Sequence, residues 1–381
     1  MESPPSPALR SPQSSRRRLI VFPLLAIAVV AILIGCWLAF ASNTADFEDS
    51  RSVRIPPGSS FEDVADSLEV VGILGSRGSF TTFATLTGWR RQVKPGHYLI
   101  ESGMSNWAML DKIRKGLQDP IRITIPPGTR PSVVGAVLAR DLGIDAEDFV
   151  AALNDPALAA ELETDTAHLF GRMRANTYDI FWTTDAATAI KRIHGWYGRL
   201  WTDEREVKAA GLGLTPDEVT TLASIVEWEA QQADERPTIA GVYLNRLLGR
   251  TSAGTMRLQA DPTVQYALMQ TDGGPMRRLF TRDYNTPHPY NTYLIEGLPP
   301  GPINNPSDAS IDAVLDAEEH DYLYFVANGM GGHTFTRTLG EHMSAAREWS
   351  AFISQQTRIA VQRRDSVRHD SLRRAQHSVA Q

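Results

Sequence analysis

An uncharged run from Leu19 to Ala41, the most apolar stretch of the chain, comes directly after three consecutive arginines, Arg16-Arg17-Arg18. Its length matches the roughly 20 residues that span a bilayer. Positive residues ahead of a span keep the N-terminus cytoplasmic and place the rest of the chain outside. The pattern therefore predicts a single transmembrane helix over 19–41 after a cytoplasmic tail, 1–18, whose first fifteen residues are rich in Ser and Pro. A cleaved signal peptide is the alternative, since Ala39-Phe40-Ala41 fits a small-x-small cleavage site. The run, however, exceeds the roughly 7 to 15 apolar residues usual for signals.

After a linker over 42–51, one pattern occurs twice. Val53 to Leu68 (VRIPPGSSFEDVADSL) and Ile123 to Leu138 (ITIPPGTRPSVVGAVL) each read as a short strand, a Pro-Pro-Gly turn and an amphipathic helix. Two copies are too few for a solenoid. In the first, Ser60 is placed to cap a helix whose apolar positions Phe61, Val64, Ala65 and Leu68 obey helical spacing. A helix over 79–87, a strand over 97–101, a turn at Ser102-Gly103 and a helix over 106–116 complete a small α+β module at 52–124. This block resembles a LysM-like module, a β-α-α-β fold that often binds glycan; a spacer without glycan affinity is the alternative.

The larger part, 125–357, reads as a second α+β domain. The stretch from Glu147 to Tyr197 is mixed, and its neighbourhood of aromatics (Trp182, Trp196, Trp201) reads as core rather than as sugar platforms. A clear start signal stands at Thr215-Pro216-Asp217-Glu218: Thr as cap, Pro at the first helical position, Glu three residues after the cap. The helix then runs through LASIVEWEA, with Val219, Leu222, Ala223, Val226 and Ala230 on one stripe and two carboxylates, Glu227 and Glu229, on either side of it. Periodicity alone does not choose between them. The small residues one turn behind Glu227, Ala223 and Ser224, would leave room for a ligand, whereas Glu229 sits over Leu222 and Ile225, so Glu227 is the expected chemical group.

Turn-rich segments downstream carry polar and aromatic residues that make poor core: RLQADPT at 257–263, PYNTY at 289–293 and GLPPGPI at 297–303. Asp261 before Pro262 also suits a helix cap, and the Pro-Gly run also suits a rigid turn. Tyr322 to Ala327 alternates as a strand, Asn328 to Gly332 makes a glycine-rich turn, His333-Thr334-Phe335 starts the return strand, and Thr338 with Glu341 forms a capping box for a last helix. Beyond it, 358–381, rich in Arg, Ser and Gln, reads as a disordered basic tail.

Composition narrows the class. With 381 residues, 42% apolar and 22% charged, the chain can bury two cores, and its net charge of −6 offers no general attraction to nucleic acid. The one cysteine, Cys36, lies in the apolar run, which excludes a disulfide framework and a cysteine metal site. His320, His333 and His342 form neither an H-E-x-x-H motif nor a close pair, so neither a metal nor another cofactor is expected.

The segments LASIVEWEA, AGVYLNRL, RLQADPTVQYAL, YNTYLIEGLPPGPINNPS and YLYFVANGMGGHTFTRTLGEH, in that order, resemble successive blocks of the endolytic murein transglycosylase family (MltG, or YceG-like). That resemblance implies a lyase that cuts MurNAc–GlcNAc bonds of peptidoglycan strands. It also implies that Glu227 corresponds to the family's catalytic glutamate, and places Gln259, Asp261, Asn291, Tyr293 and His333 in the matching blocks as substrate-binding candidates. In this chemistry one glutamate first protonates the leaving oxygen and then, as base, takes the proton of the sugar's own C6 hydroxyl, giving a 1,6-anhydroMurNAc end without water. The chain departs from the family pattern at Trp228, where a basic residue is expected, and in Pro-Pro-Gly where Pro-Glu-Gly is usual. The resemblance further implies an inner-membrane location with the catalytic domain outside, action on nascent strands that ends their elongation, and peptidoglycan synthases as partners. A hydrolytic muramidase and a non-enzymatic wall tether are the alternatives.

Overall fold

The structure, a computed structural model, describes residues 13–379 except 231 and 275. Helix α1 spans Gln13–Phe40, so the positions 13–18 assigned to a tail are helical, and the rest of that tail lies outside the described residues. Within α1 the stretch Phe22–Phe40 is long and apolar enough to cross a membrane, and side chains such as Phe22, Leu25, Ile32 and Trp37 are exposed along it. An apolar helix with no protein partner on most of its surface is what a bilayer accommodates.

The described chain divides into two compact units, 13–121 with 179–184, and 122–178 with 185–379. In the first unit β1 (Ser50–Ile55), α2 (Phe61–Val70), α3 (Arg77–Thr87), β2 (Gly96–Glu101) and α4 (Asn106–Lys115) succeed one another in that order, with β1 and β2 antiparallel in register Val53↔Tyr98. Ser60 and Asp63 form a reciprocal capping box at the start of α2, which satisfies two backbone donors that a helix end leaves free. Phe61, Val64, Ala65 and Leu68 face the core as their spacing predicts, against Phe80, Tyr98, Ile100, Met109 and Ile113. The end of α1 joins this core through Ala39, and the Asn106 side-chain amide donates to the Leu38 carbonyl at 2.8 Å.

The second unit begins within β3 (Ile121–Ile125), followed by the Pro-Pro-Gly turn and α5 (Pro131–Leu142), repeating the strand-turn-helix of the first. Helices α6 (Ala146–Leu153) and α7 (Pro156–Glu161) precede β4 (Asn176–Ile180), the partner of β3. Then come α8 (Ala186–His194), α9 (Asp203–Leu212), α10 (Pro216–Glu229), α11 (Arg236–Leu248), α12 (Asp261–Asp272), α13 (Asp308–Leu315), the hairpin β5 (Tyr324–Ala327) and β6 (His333–Thr336), and α14 (Leu339–Val379). Helix α10 is the hub: every residue from Val219 to Val226 is buried, between α11, α12 and α13. Its start is as predicted, with Thr215 accepting from the Glu218 amide and the Glu218 carboxylate accepting from the Thr215 amide.

The segment from 358, expected as a tail, continues α14 as far as Val379. The reason is local: the segment contains neither Pro nor Gly, and Ala, Arg and Gln, which recur through it, are good helix formers.

Candidate active site

A cleft of about 480 Å³ opens in the second unit beside the C-terminal end of α10. Four of the sequence candidates line it: Gln259, Asp261, Tyr293 and His333. The glutamate on its wall is Glu229, and Glu227 is not among the lining residues.

Glu227 is held elsewhere, and the reasoning that favours it from sequence fails for a definite reason. The room expected above Ala223 and Ser224 is filled by the chain at 303–305: the Ile303 amide donates to the Ser224 hydroxyl at 3.0 Å, and the Asn304 side chain donates to the Ser224 carbonyl at 2.7 Å. Glu227 then reaches the start of α13. Its Oε2 accepts from the Ser307 amide (3.0 Å), the Ser307 hydroxyl (2.5 Å) and the Ser310 hydroxyl (2.6 Å), and its Oε1 accepts from Arg236 at 3.3 Å. With its side chain 8% exposed and both oxygens engaged, Glu227 is a brace between two helices. Trp228 is explained in the same place, because its indole N–H donates to the Gly128 carbonyl at 2.8 Å. A Cβ on Gly128 would come within 3.3 Å of the Glu227 side chain, and φ there is +65°, so glycine suits this turn on both counts.

Glu229 has the opposite surroundings. Ile225, one turn behind it, and Leu222, two turns behind it, are core residues with no exposure. The carboxyl accepts a hydrogen bond from the Tyr243 hydroxyl at 2.6 Å. Burial pushes its pKa up to about 7; the Tyr243 hydrogen bond opposes that rise, the charge of Asp261 adds to it, and Arg246 opposes it. The residue still keeps part of its surface toward the cleft. The apolar neighbours expected to crowd Glu229 are therefore what keep its proton near neutral pH.

Around it the polar groups are held tightly. Asp261 is the first residue of α12 but does not cap it; the cap position is Ala260, and the Asp261 carboxylate accepts from the Tyr293 hydroxyl (2.7 Å) and the Tyr284 hydroxyl (3.3 Å). Burial raises the Tyr284 pKa to about 12, and burial with the adjacent Asp261 charge raises that of Tyr293 well above its ordinary value, so both remain donors. Gln259 adopts φ +49°, a conformation unfavourable for a side chain with a Cβ, at the edge of the cleft. That backbone is fixed by the Gln259 amide donating to the Thr292 carbonyl at 3.2 Å and the Ala260 amide donating to the Thr292 hydroxyl at 2.9 Å. His333 shares a two-point contact with Glu235: its amide donates to Oε1 and its Nδ1 lies 2.7 Å from Oε2.

Asn291 is the exception among the candidates. It has no exposure, its amide donates to the Tyr284 and Thr286 carbonyls, and its oxygen accepts from the Tyr293 amide. It folds the loop that carries Tyr284 and Tyr293 and does not reach the cleft. The residues that sequence reasoning misses, besides Glu229, are Tyr243, Arg246 and Tyr284. Tyr243 and Arg246 lie three apart on α11, and Arg246 is buried, donating to the Leu323 and Leu258 carbonyls. A tyrosine and an arginine three residues apart, and so on one face of the helix, are the signal that AGVYLNRL carries. Among the described residues no group of three His, Cys, Asp or Glu converges as metal ligands would.

A model of the YceG-like family matches residues 53–348. The chain is 29% identical over 321 residues to a Bacillus subtilis protein named endolytic murein transglycosylase, covering 80% of this chain and 86% of that one. It is 26% identical to a Streptococcus pneumoniae protein of the same name, over 77% of this chain and 58% of the longer streptococcal one. Among solved structures, a crystal structure of a yceG-like protein from Listeria monocytogenes aligns with TM-score 0.53 at 28% identity, over 78% of this chain and 98% of that chain.

Proposed function

The chain belongs to the YceG-like family, and from that membership and the cleft at Glu229 we propose that it is an endolytic murein transglycosylase, a lyase that cuts MurNAc–GlcNAc bonds within peptidoglycan strands. The observation that carries the reading is the Glu229 carboxyl, raised to about 7 by burial, in a cleft with polar groups fixed around it. A group of that pKa is substantially protonated at neutral pH and so can give its proton to the leaving glycosidic oxygen. The Glu229 carboxylate so formed takes the proton of the C6 hydroxyl as that oxygen closes on C1, which leaves the anhydro end and returns Glu229 to its starting state. Proximity of the C6 hydroxyl to C1 supplies the nucleophile within the substrate itself.

The remaining groups act on position and charge. Tyr243 orients the Glu229 carboxyl through its 2.6 Å hydrogen bond. Asp261 keeps Glu229 protonated to higher pH and fixes two tyrosines whose rings face the sugar. The Gln259 side chain, projected by its strained backbone, and the His333 ring are placed to hydrogen-bond the N-acetyl and hydroxyl groups of the substrate. A fixed arrangement of this kind stabilises charge as it develops without reorganising first.

The first unit, with antiparallel β1 and β2 and helices α2 and α3 between them in sequence, fits a LysM-like module, and glycan binding is its proposed role. The apolar stretch of α1 serves as a single-pass anchor in the cytoplasmic membrane, with the N-terminus inside, by the charge asymmetry at Arg16-Arg17-Arg18. An anchored enzyme of this specificity would end the elongation of nascent strands close to peptidoglycan synthases.

Mass spectrometry of the products made by the full chain in detergent from uncrosslinked strands tests the reaction class. Anhydro ends are the expected result. Reducing ends would make the protein a hydrolase, and uncut strands would leave a wall tether.

A further inference from the structure

A second cleft, of about 500 Å³, lies in the same unit and takes no part in the chemistry described above. The loop that carries Tyr284 and Tyr293 on the reaction cleft continues through His288, Pro289 and Tyr290, which line the second. Helix α12 does the same: Asp261 in its first turn faces the reaction cleft, while Tyr266, Met269 and Gln270 face the other. At 1.5 Å per residue those positions lie roughly 7 to 13 Å further along the helix, a few sugar rings away.

Its lining suits a substituted sugar better than an apolar ligand. The Tyr266 and Tyr290 rings stand 4.7 Å apart at 44°, with the His288 ring 5.8 Å from Tyr290, all partly exposed. Such a surface packs against the C–H face of a pyranose. Beside it Arg130 is half-buried, and its acceptor among the described residues is the Met269 sulfur at 2.9 Å. A sulfur is a weak acceptor for a guanidinium, whose fork is matched by a carboxylate. Arg130 occupies the cap position of α5 without making a side-chain capping bond, so that helix does not need its charge.

Resting on the activity proposed above, we infer that this cleft is a remote subsite for the same glycan strand. It takes a MurNAc ring that bears its stem peptide, with Tyr266 and Tyr290 against the sugar and Arg130 paired with a free carboxylate of the peptide. An enzyme that cuts inside a strand must hold rings beyond the cleaved bond, and this cleft shares two walls with the one that cuts. The charged contact makes the subsite selective for strands that still carry peptides.

The test measures binding rather than cleavage, using the full-length E229Q chain in detergent micelles with soluble glycan strands, either peptide-bearing or stripped by an amidase with the lactyl carboxylates that this exposes then converted to methylamides. Peptide-bearing strands are expected to bind at least tenfold tighter than stripped ones. Arg130→Gln is expected to remove that preference while leaving affinity for stripped strands, Arg130→Glu to reverse it, and Tyr290→Ala to weaken both strands. An unchanged preference in both Arg130 variants, the lack of any preference, or no binding to either strand overturns the subsite. Because the readout is affinity, a native chain that fails to cut strands refutes the reaction and leaves this test decisive on its own terms.

Discussion

Two carboxylates two residues apart meet opposite fates, and the difference is in what approaches each from elsewhere in the chain. Glu227 receives three hydrogen bonds from the start of α13 and one from Arg236. Glu227→Ala leaves those donors without their acceptor, and is expected to lower stability by about 2–3 kcal/mol, read as a fall in Tm, while the folded fraction still turns over. Glu229 sits over Leu222 and Ile225 and keeps its proton. Since only the protonated form starts the reaction, kcat is expected to fall as pH rises through about 7. The same raised pKa means that the folded state binds this proton more tightly than the unfolded chain. Its ionisation therefore lowers stability as pH climbs from about 4.5 to 7, by on the order of 2 kcal/mol because cleft water still reaches the group. E229Q should lack that pH dependence in urea titrations. The charge of Asp261 contributes to the raised pKa, so Asp261→Asn should move the falling limb of the rate profile to lower pH; a limb that stays in place would separate Asp261 from Glu229.

At the scale of elements, the features legible in the sequence are those that depend on near neighbours. The capping boxes at Ser60/Asp63, Thr215/Glu218 and Thr338/Glu341 are all present, because each needs only residues within one turn. Thr215→Ala is accordingly expected to cost about 1 kcal/mol in a thermal melt. The hairpin from Tyr324 to Thr336 also falls close to its predicted ends. The choice between Glu227 and Glu229 is not legible, since it depends on the 303–305 segment packing onto Ser224, some eighty residues away. Asn291 and Asp261 depart from expectation in the same way: one polar residue in a turn-rich segment is a loop brace, and an apparent cap is a clamp on two tyrosines. The continuation of α14 to Val379 is legible in principle, because in a stretch without Pro or Gly helix propensity outweighs the charge that suggests a solvated tail.

At the scale of the whole molecule, the N-terminal apolar helix and the rest of the first unit are one piece of structure where they meet. Ala39 is part of that unit's core and the Leu38 carbonyl accepts from Asn106. A chain truncated to begin at Asp46 should therefore show a lower melting transition for the first unit than one that begins at Gly35, whereas independence of the two would leave the transitions equal. The α+β character is readable from periodicity and the repeated Pro-Pro-Gly turn, while the catalytic assignment requires the tertiary arrangement around α10. That assignment is tested most directly by the initial rate of strand cleavage for E229Q and E227Q, compared with the native chain at a temperature where circular dichroism shows all three folded. A loss of roughly 10²–10⁴-fold in E229Q with turnover retained in E227Q is the expected result, in line with the contribution of a general acid. A native rate in E229Q, or its abolition in a folded E227Q alone, would contradict the role given to Glu229.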